Sequence, residues 1–128
     1  MIGFLRRRLG LRGRDADRRP LGARGEAAAA QHLKKQGFRI ITRNARRTIG
    51  EIDLIAESPQ RDAIVVVEVK ARMVDAGGES ERLPERAITA AKGKKLAALA
   101  KGVAKRPGLE NRRVRVDVVA VEFVRGVR

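Results

Sequence analysis

The chain has 128 residues, 43% of them hydrophobic, and sets 30 basic side chains against 15 acidic ones for a formal charge of +15. This length suits one domain with a single core. There is no run of about 18 apolar residues to span a membrane, and the absence of cysteine removes disulfides, thiolate nucleophiles and cysteine-ligated metal centres. A cysteine-free chain is compatible with a reducing cytoplasm, the expected location. The positive excess favours a polyanionic partner, nucleic acid ahead of anionic membrane. Three Phe and no Tyr or Trp offer few rings for stacking unpaired bases, so a duplex or branched backbone, DNA first, is the expected partner.

Residues 1–20 hold seven Arg with Ile2, Phe4, Leu5, Leu9 and Leu11 interleaved. They are expected to be a basic flexible tail outside the domain, without the continuous apolar centre of a secretory signal. Residues 22–35 are Ala-rich and predict a helix, with Gly37 as its C-terminal cap. Its apolar stripe is read as Ala23, Ala27, Ala30 and Leu33, with Glu26 bordering or entering it. A strand follows over 38–44 by alternation, then an antiparallel pair, 51–57 and 63–72, joined by the turn-forming residues 58–62. Residues 73–83 are expected to form a flexible loop. Pro84 suits the first turn of a second helix reaching about Lys105. Its stripe is Ile88, Leu96, Leu99 and Val103, and Lys92 falls inside it. The last strand spans 112–124, with Val114, Val116, Val118 and Ala120 on one face and Arg115, Asp117, Val119 and Val121 on the other. The order helix, three strands, helix, strand predicts an α/β domain over 21–124, its αβββαβ core a mixed sheet flanked by helices.

The chemistry concentrates in the strand pair. If Glu57 pairs with Ile64, Asp53 lies opposite Glu68 and Glu51 opposite Lys70, all on one face. Two facing carboxylates repel unless a cation lies between them. With hard oxygens and a single His, His32, on the first helix and not expected to be a ligand, Mg2+ or Mn2+ is the fitting metal. Lys70, two residues from Glu68, is placed to orient or deprotonate water or to stabilise charge on phosphorus. A plain cross-strand ion pair of Glu51 with Lys70 would account for some of these charges. It does not explain Glu68 at the end of a strand that is apolar on both faces, where charge marks a functional site. The expected reaction is metal-assisted hydrolysis of a phosphodiester.

Glu26 in a Gly-x-x-Gly-Glu helix start, Gly-Glu-Ile-Asp at 50–53, Val-Glu-Val-Lys at 67–70, Lys92, and Val-Arg-Val-Asp-Val-Val at 114–119 resemble the YraN-like family of uncharacterised bacterial proteins. The resemblance covers about residues 21–124. That family is similar to the PD-(D/E)xK nuclease superfamily, close in pattern to archaeal Holliday junction resolvases. The resemblance implies a restriction-endonuclease-like fold. It makes Asp53 and Glu68 metal-binding acids, with the Val69 carbonyl a third ligand and Glu26 completing the site. It makes Lys70 the catalytic lysine and sets Lys92 facing the site from the second helix. Ile52 stands where the superfamily pattern has Pro, and Gly93 where many relatives carry Gln. The implied function is a Mg2+-dependent endonuclease on structured or branched DNA, by analogy as a homodimer. The alternative is a noncatalytic nucleic-acid-binding protein that keeps the fold.

Overall fold

The structure is a computed structural model that describes residues 4–12, 19–47, 50–75 and 90–125. In chain order its elements are β1 (Phe4–Arg12), α1 (Leu21–Lys35), β2 (Arg39–Arg47), β3 (Gly50–Glu57), β4 (Ala63–Asp75), α2 (Ala90–Ala104) and β5 (Arg113–Arg125). The αβββαβ core is present. Its strands stand in the order β5-β4-β3-β2, with β2–β3 and β3–β4 antiparallel and β4–β5 parallel. The parallel pair needs a long crossover, and α2 lies within that connection.

Among the described residues, each face of the sheet carries one helix. On one face Ala29, Ala30 and Leu33 of α1 pack with Phe38, Leu54, Ala56, Val65, Val67, Val119, Val121 and Phe123. On the other Leu96, Leu99, Ala100 and Val103 of α2 pack with Ile52, Ile55, Ile64, Val66 and Val116. β4 is buried on both sides over 63–68, as a central strand covered by two helices must be. The β5 alternation separates Val116 from Val119 and Val121 as its period requires.

The first segment, the ends of β2 and β4, and the buried face of α1 differ from expectation, β2 running to Arg47 rather than to residue 44. Phe4–Arg12 is a strand: it pairs in parallel with β5 from Phe4↔Val116 to Arg12↔Val124, making the sheet five-stranded. The expected tail therefore supplies an edge to the sheet along this segment; residues 13–18 lie outside the described residues. Its short apolar positions, broken by Arg, gave no strand periodicity of their own, and the pairing comes from the open edge of β5. Met73–Asp75 continue β4, because β5 pairs with it to Asp75↔Arg125. The rest of the expected loop, Pro84 and Ile88 lie outside the described residues. The buried stripe of α1 is Gly25, Ala29, Ala30 and Leu33, while Ala23 is exposed. Gly25 seats the helix on β4: a Cβ there would stand 2.5 Å from the Ala71 Cβ. α1 ends with Gln36 as C-cap and Gly37 at φ +96°, a conformation suited to glycine.

Candidate active site

β3 and β4 pair in the register expected, Glu57↔Ile64 through Leu54↔Val67, and there the pairing stops. β3 continues from Leu54 back to Gly50 on β2 alone, while β4 runs on beside β5 to Asp75. The sheet thus forks, and at the fork β4 loses its partner for the Val69 amide. The Asp53 carboxylate takes that place: Val69 N–H donates to Asp53 Oδ2 at 2.7 Å. Asp53 does not sit as a plain cross-strand partner of Glu68; its side chain closes the end of the ladder.

The fork brings both helices to one point. Glu26, one residue beyond the close contact at Gly25, faces Asp53 from α1 and can accept a hydrogen bond from its protonated carboxyl. From α2, Lys92 Nζ lies 2.7 Å from Glu68 Oε1, and Lys70 Nζ lies 3.5 Å from the same oxygen. Glu68 itself is buried. Lys92 is half-buried, as a charge inside an apolar helical stripe must be, and its stem continues the row of Leu96 and Leu99. A cleft of about 390 Å³ opens here, lined by Glu51, Asp53, Glu68, Lys92, Lys95, Leu96 and Leu99. Glu51 and Lys95 are exposed and add one charge of each sign to its wall.

Electrostatics follow from this crowding. Asp53 is pushed up to about 7, first by burial and then by the neighbouring charges of Glu68 and Glu26 and the hydrogen bond with Glu26; the Val69 amide pulls the other way. Lys70 is lowered, first because Lys92 can donate a hydrogen bond to its neutral amine, then by burial and by the charge of Lys92. Lys92 is raised: burial opposes its charge, but hydrogen bonds to Glu68 and Lys70 and the charge of Glu68 outweigh that. The two lysines thus split into a firmly charged one held on Glu68 and a second whose proton is loosened. Pairs of titrating groups driven apart in this way are what acid–base chemistry requires.

All five side chains singled out from the sequence, Glu26, Asp53, Glu68, Lys70 and Lys92, meet at the fork. Val69 enters through its amide N–H. His32 is half-buried on α1. Among the described residues no three acidic or imidazole side chains form a ready-made ion cage. The donors are the Glu26–Asp53 pair and Glu68 under its two ammoniums. As a donor set they still fit a hard divalent cation: they are all oxygen, and their mutual repulsion at Asp53 is the strain a cation relieves. Lys95 is exposed on α2 and reaches the cleft because it lies three residues beyond Lys92.

An αβββαβ core with acids and lysines gathered at a fork of its sheet defines an α/β protein with a charged cleft between sheet and helix. The chain belongs to uncharacterised protein family UPF0102, whose family model matches residues 25–121. It is 46% identical over 104 residues to a UPF0102 protein of Symbiobacterium thermophilum, covering 81% of this chain and 83% of that relative. It is 41% identical over 108 residues to one from Pelotomaculum thermopropionicum, covering 84% of this chain and 85% of the relative. A third, from Desulfosudis oleivorans, is 39% identical over 105 residues, covering 82% and 80%. This is the YraN-like bacterial family to which the sequence motifs pointed. The matched span contains all five fork residues and excludes β1. Among the described residues no helix is long and apolar enough to cross a membrane.

Proposed function

We propose that this protein is a metal-dependent endonuclease of restriction-endonuclease-like fold that hydrolyses phosphodiester bonds in structured or branched DNA, in the cytoplasm. The observation that carries the reading is the convergence of Glu26, Asp53 and Glu68 with Lys70 and Lys92 where β3 leaves β4. A buried strand end gathers three acids and two lysines from four elements only at a cost in desolvation, and perturbed groups in a cleft mark chemistry.

Asp53, Glu68 and Glu26, with the Val69 carbonyl, would hold Mg2+ or Mn2+. When bound, the cation supplies Lewis acidity toward a phosphoryl oxygen and neutralises developing charge. The protein's own groups do the rest. Lys70, its ammonium destabilised by Lys92 and burial, holds or moves a proton at Nζ: as a neutral amine it takes one from the attacking water, whose oxygen bonds to phosphorus as the ester P–O bond breaks and the leaving oxygen takes a proton from solvent. Lys92 stays charged and faces the oxygens that gain charge. Lys95 at the cleft wall is placed to receive a neighbouring phosphate.

The test is direct. Purified protein with Mg2+ should nick a plasmid or a four-way junction, and Asp53→Ala or Lys70→Ala should each abolish this. Cleavage that survives both substitutions sinks the assignment. One observation favours the noncatalytic alternative: Glu68 is tied to Lys92 at 2.7 Å, an ion pair that satisfies the acid without metal. Calorimetric titration with Mn2+ separates the two. The nuclease reading expects binding that Asp53→Ala removes, and the alternative expects DNA binding with no heat from Mn2+.

A further inference from the structure

At the start of β4, away from the fork, a second charged constellation is built around Glu57. This side chain closes β3 and is buried, 7% exposed. Three guanidiniums converge on it from three parts of the chain. Arg39 Nε at the start of β2 is 3.2 Å from Oε1, Arg61 Nε in the β3–β4 turn is 3.6 Å from the same atom, and Arg112 Nη2 ahead of β5 is 2.9 Å from Oε2. Arg112 Nη2 also donates to the Arg61 carbonyl oxygen at 3.0 Å. The carboxyl is held below its usual range, first by the Arg112 hydrogen bond and then by the charges of the three arginines. One carboxylate neutralises one of three cations, so the cluster keeps a positive excess.

The surroundings add to it. Arg113 enters β5 opposite Ala63, and its charge reaches Asp62 in the turn. The C-terminal end of α1, with exposed Lys35, lies against the same turn, since a Cβ on Gly37 would stand 3.4 Å from Pro59. Basic residues at a helix C-terminus are explained by the dipole. A buried glutamate that collects three arginines from separate elements is not.

We propose that this end of the domain is a second binding surface, which takes the phosphate backbone of duplex DNA independently of the cleft. The arginine side chains of Arg39 and Arg61 are 63% and 51% exposed while their Nε atoms face Glu57, so each is oriented from below and presents its remaining donors to water. Arginine held in that way loses less side-chain entropy on meeting a phosphate than a free one. An anionic membrane is the poorer occupant of this end: Ile41 is the one large apolar side chain exposed among the residues whose side chains are described, and one such side chain makes no wedge to enter lipid. Base stacking is equally unsupported, since the chain has three aromatic residues in all. Seven residues of strand separate Ala63 from Lys70, about 23 Å at ~3.3 Å per residue. The two ends are far enough apart to hold two arms of a branched molecule. The surface itself stands whether or not the cleft cuts.

The experiment measures binding of the full chain to a short DNA duplex across a salt series. Lys35→Gln with Arg113→Gln removes two exposed charges, neither of which holds Glu57, and should lower melting only slightly, by the lost helix-dipole and Asp62 interactions. Affinity at low salt should fall about tenfold or more, and the slope of log affinity against log salt should shrink by roughly one to two units. Arg61→Ala should move both in the same direction. Lys101→Gln, which removes an exposed charge of α2 with no part in either region, should leave duplex binding close to wild-type strength. Unchanged affinity and slope in both surface variants would overturn the proposal, as would an equal loss in Lys101→Gln. Loss of binding to phosphatidylserine vesicles with duplex binding intact would overturn it in favour of a membrane. Tighter, equally sensitive binding of an RNA duplex would overturn the choice of DNA.

Discussion

Asp53 is the residue on which the site's energetics turn. Its carboxyl group is raised from 3.8 to about 7, by burial first and by Glu68 and Glu26 next. The unfolded chain therefore releases this proton near pH 3.8 and the folded chain near 7. Between those values the folded state binds more protons, so stability falls as pH rises through the window and levels off above it. Asp53→Asn removes the ionisation but keeps an oxygen to accept the Val69 N–H. At pH 8 it should melt roughly 3–6 °C above wild type, the shift that about 1 kcal/mol produces in a domain of this size. By pH 4 the difference should close. Calorimetric scans across pH measure this, and equal melting at pH 8 would mean that Asp53 ionises without penalty. The same repulsion gives a metal prediction. At pH 7.5, Mg2+ or Mn2+ should raise the melting temperature of the wild type, because ligand bound to the folded state alone stabilises it by mass action. Asp53→Asn should gain little from either ion.

At the scale of elements, α1 and the β3–β4 pair deliver the acids, and Gly25 sets their spacing. α1 approaches β4 so closely that a methyl on Gly25 would lie 2.5 Å from the Ala71 Cβ. Gly25→Ala should therefore push the helix outward and carry Glu26 away from Asp53, at a cost of about 1–3 kcal/mol for overpacking. Ala71→Gly in the same chain should recover most of the stability, a coupling that chemical denaturation of the four cycle members would show. Additive losses would place the strain elsewhere. The sequence made part of this legible. The apolar runs of 51–57 and 63–72 marked the two strands, pairing Glu57 with Ile64 across the turn gave the register the sheet adopts, and Lys92 stood out as a charge inside a stripe. The fork was not legible, because alternation continues unbroken through Asp53 and says nothing of where pairing ends. What ends it is the Asp53 carboxylate on the Val69 amide. The face of α1 was misjudged for a related reason. A stripe drawn through apolar side chains passes over Gly25, which is buried because it lacks one.

For the whole molecule the least expected feature is β1. A basic, Arg-broken segment gives little local signal for a strand, and its partner β5 is about a hundred residues away in the chain. Only the finished sheet supplies the reason for it to order: without β1 the outer backbone of β5 would be an open edge from Val116 to Val124. Edges of this kind invite pairing with other chains. Deleting residues 1–12 should therefore do more than remove positive charge. The truncated protein should melt several degrees lower than the full chain, and light scattering should show association that grows with concentration, as β5 edges meet. It should also bind duplex DNA less tightly and with a flatter salt dependence, since four of the arginines go with the strand. A simple basic tail would give the second effect without the first. Truncation that weakens binding but leaves melting and scattering unchanged would return the segment to that role. Lower melting with association identifies β1 as part of the sheet, lying beyond the family-matched span of 25–121.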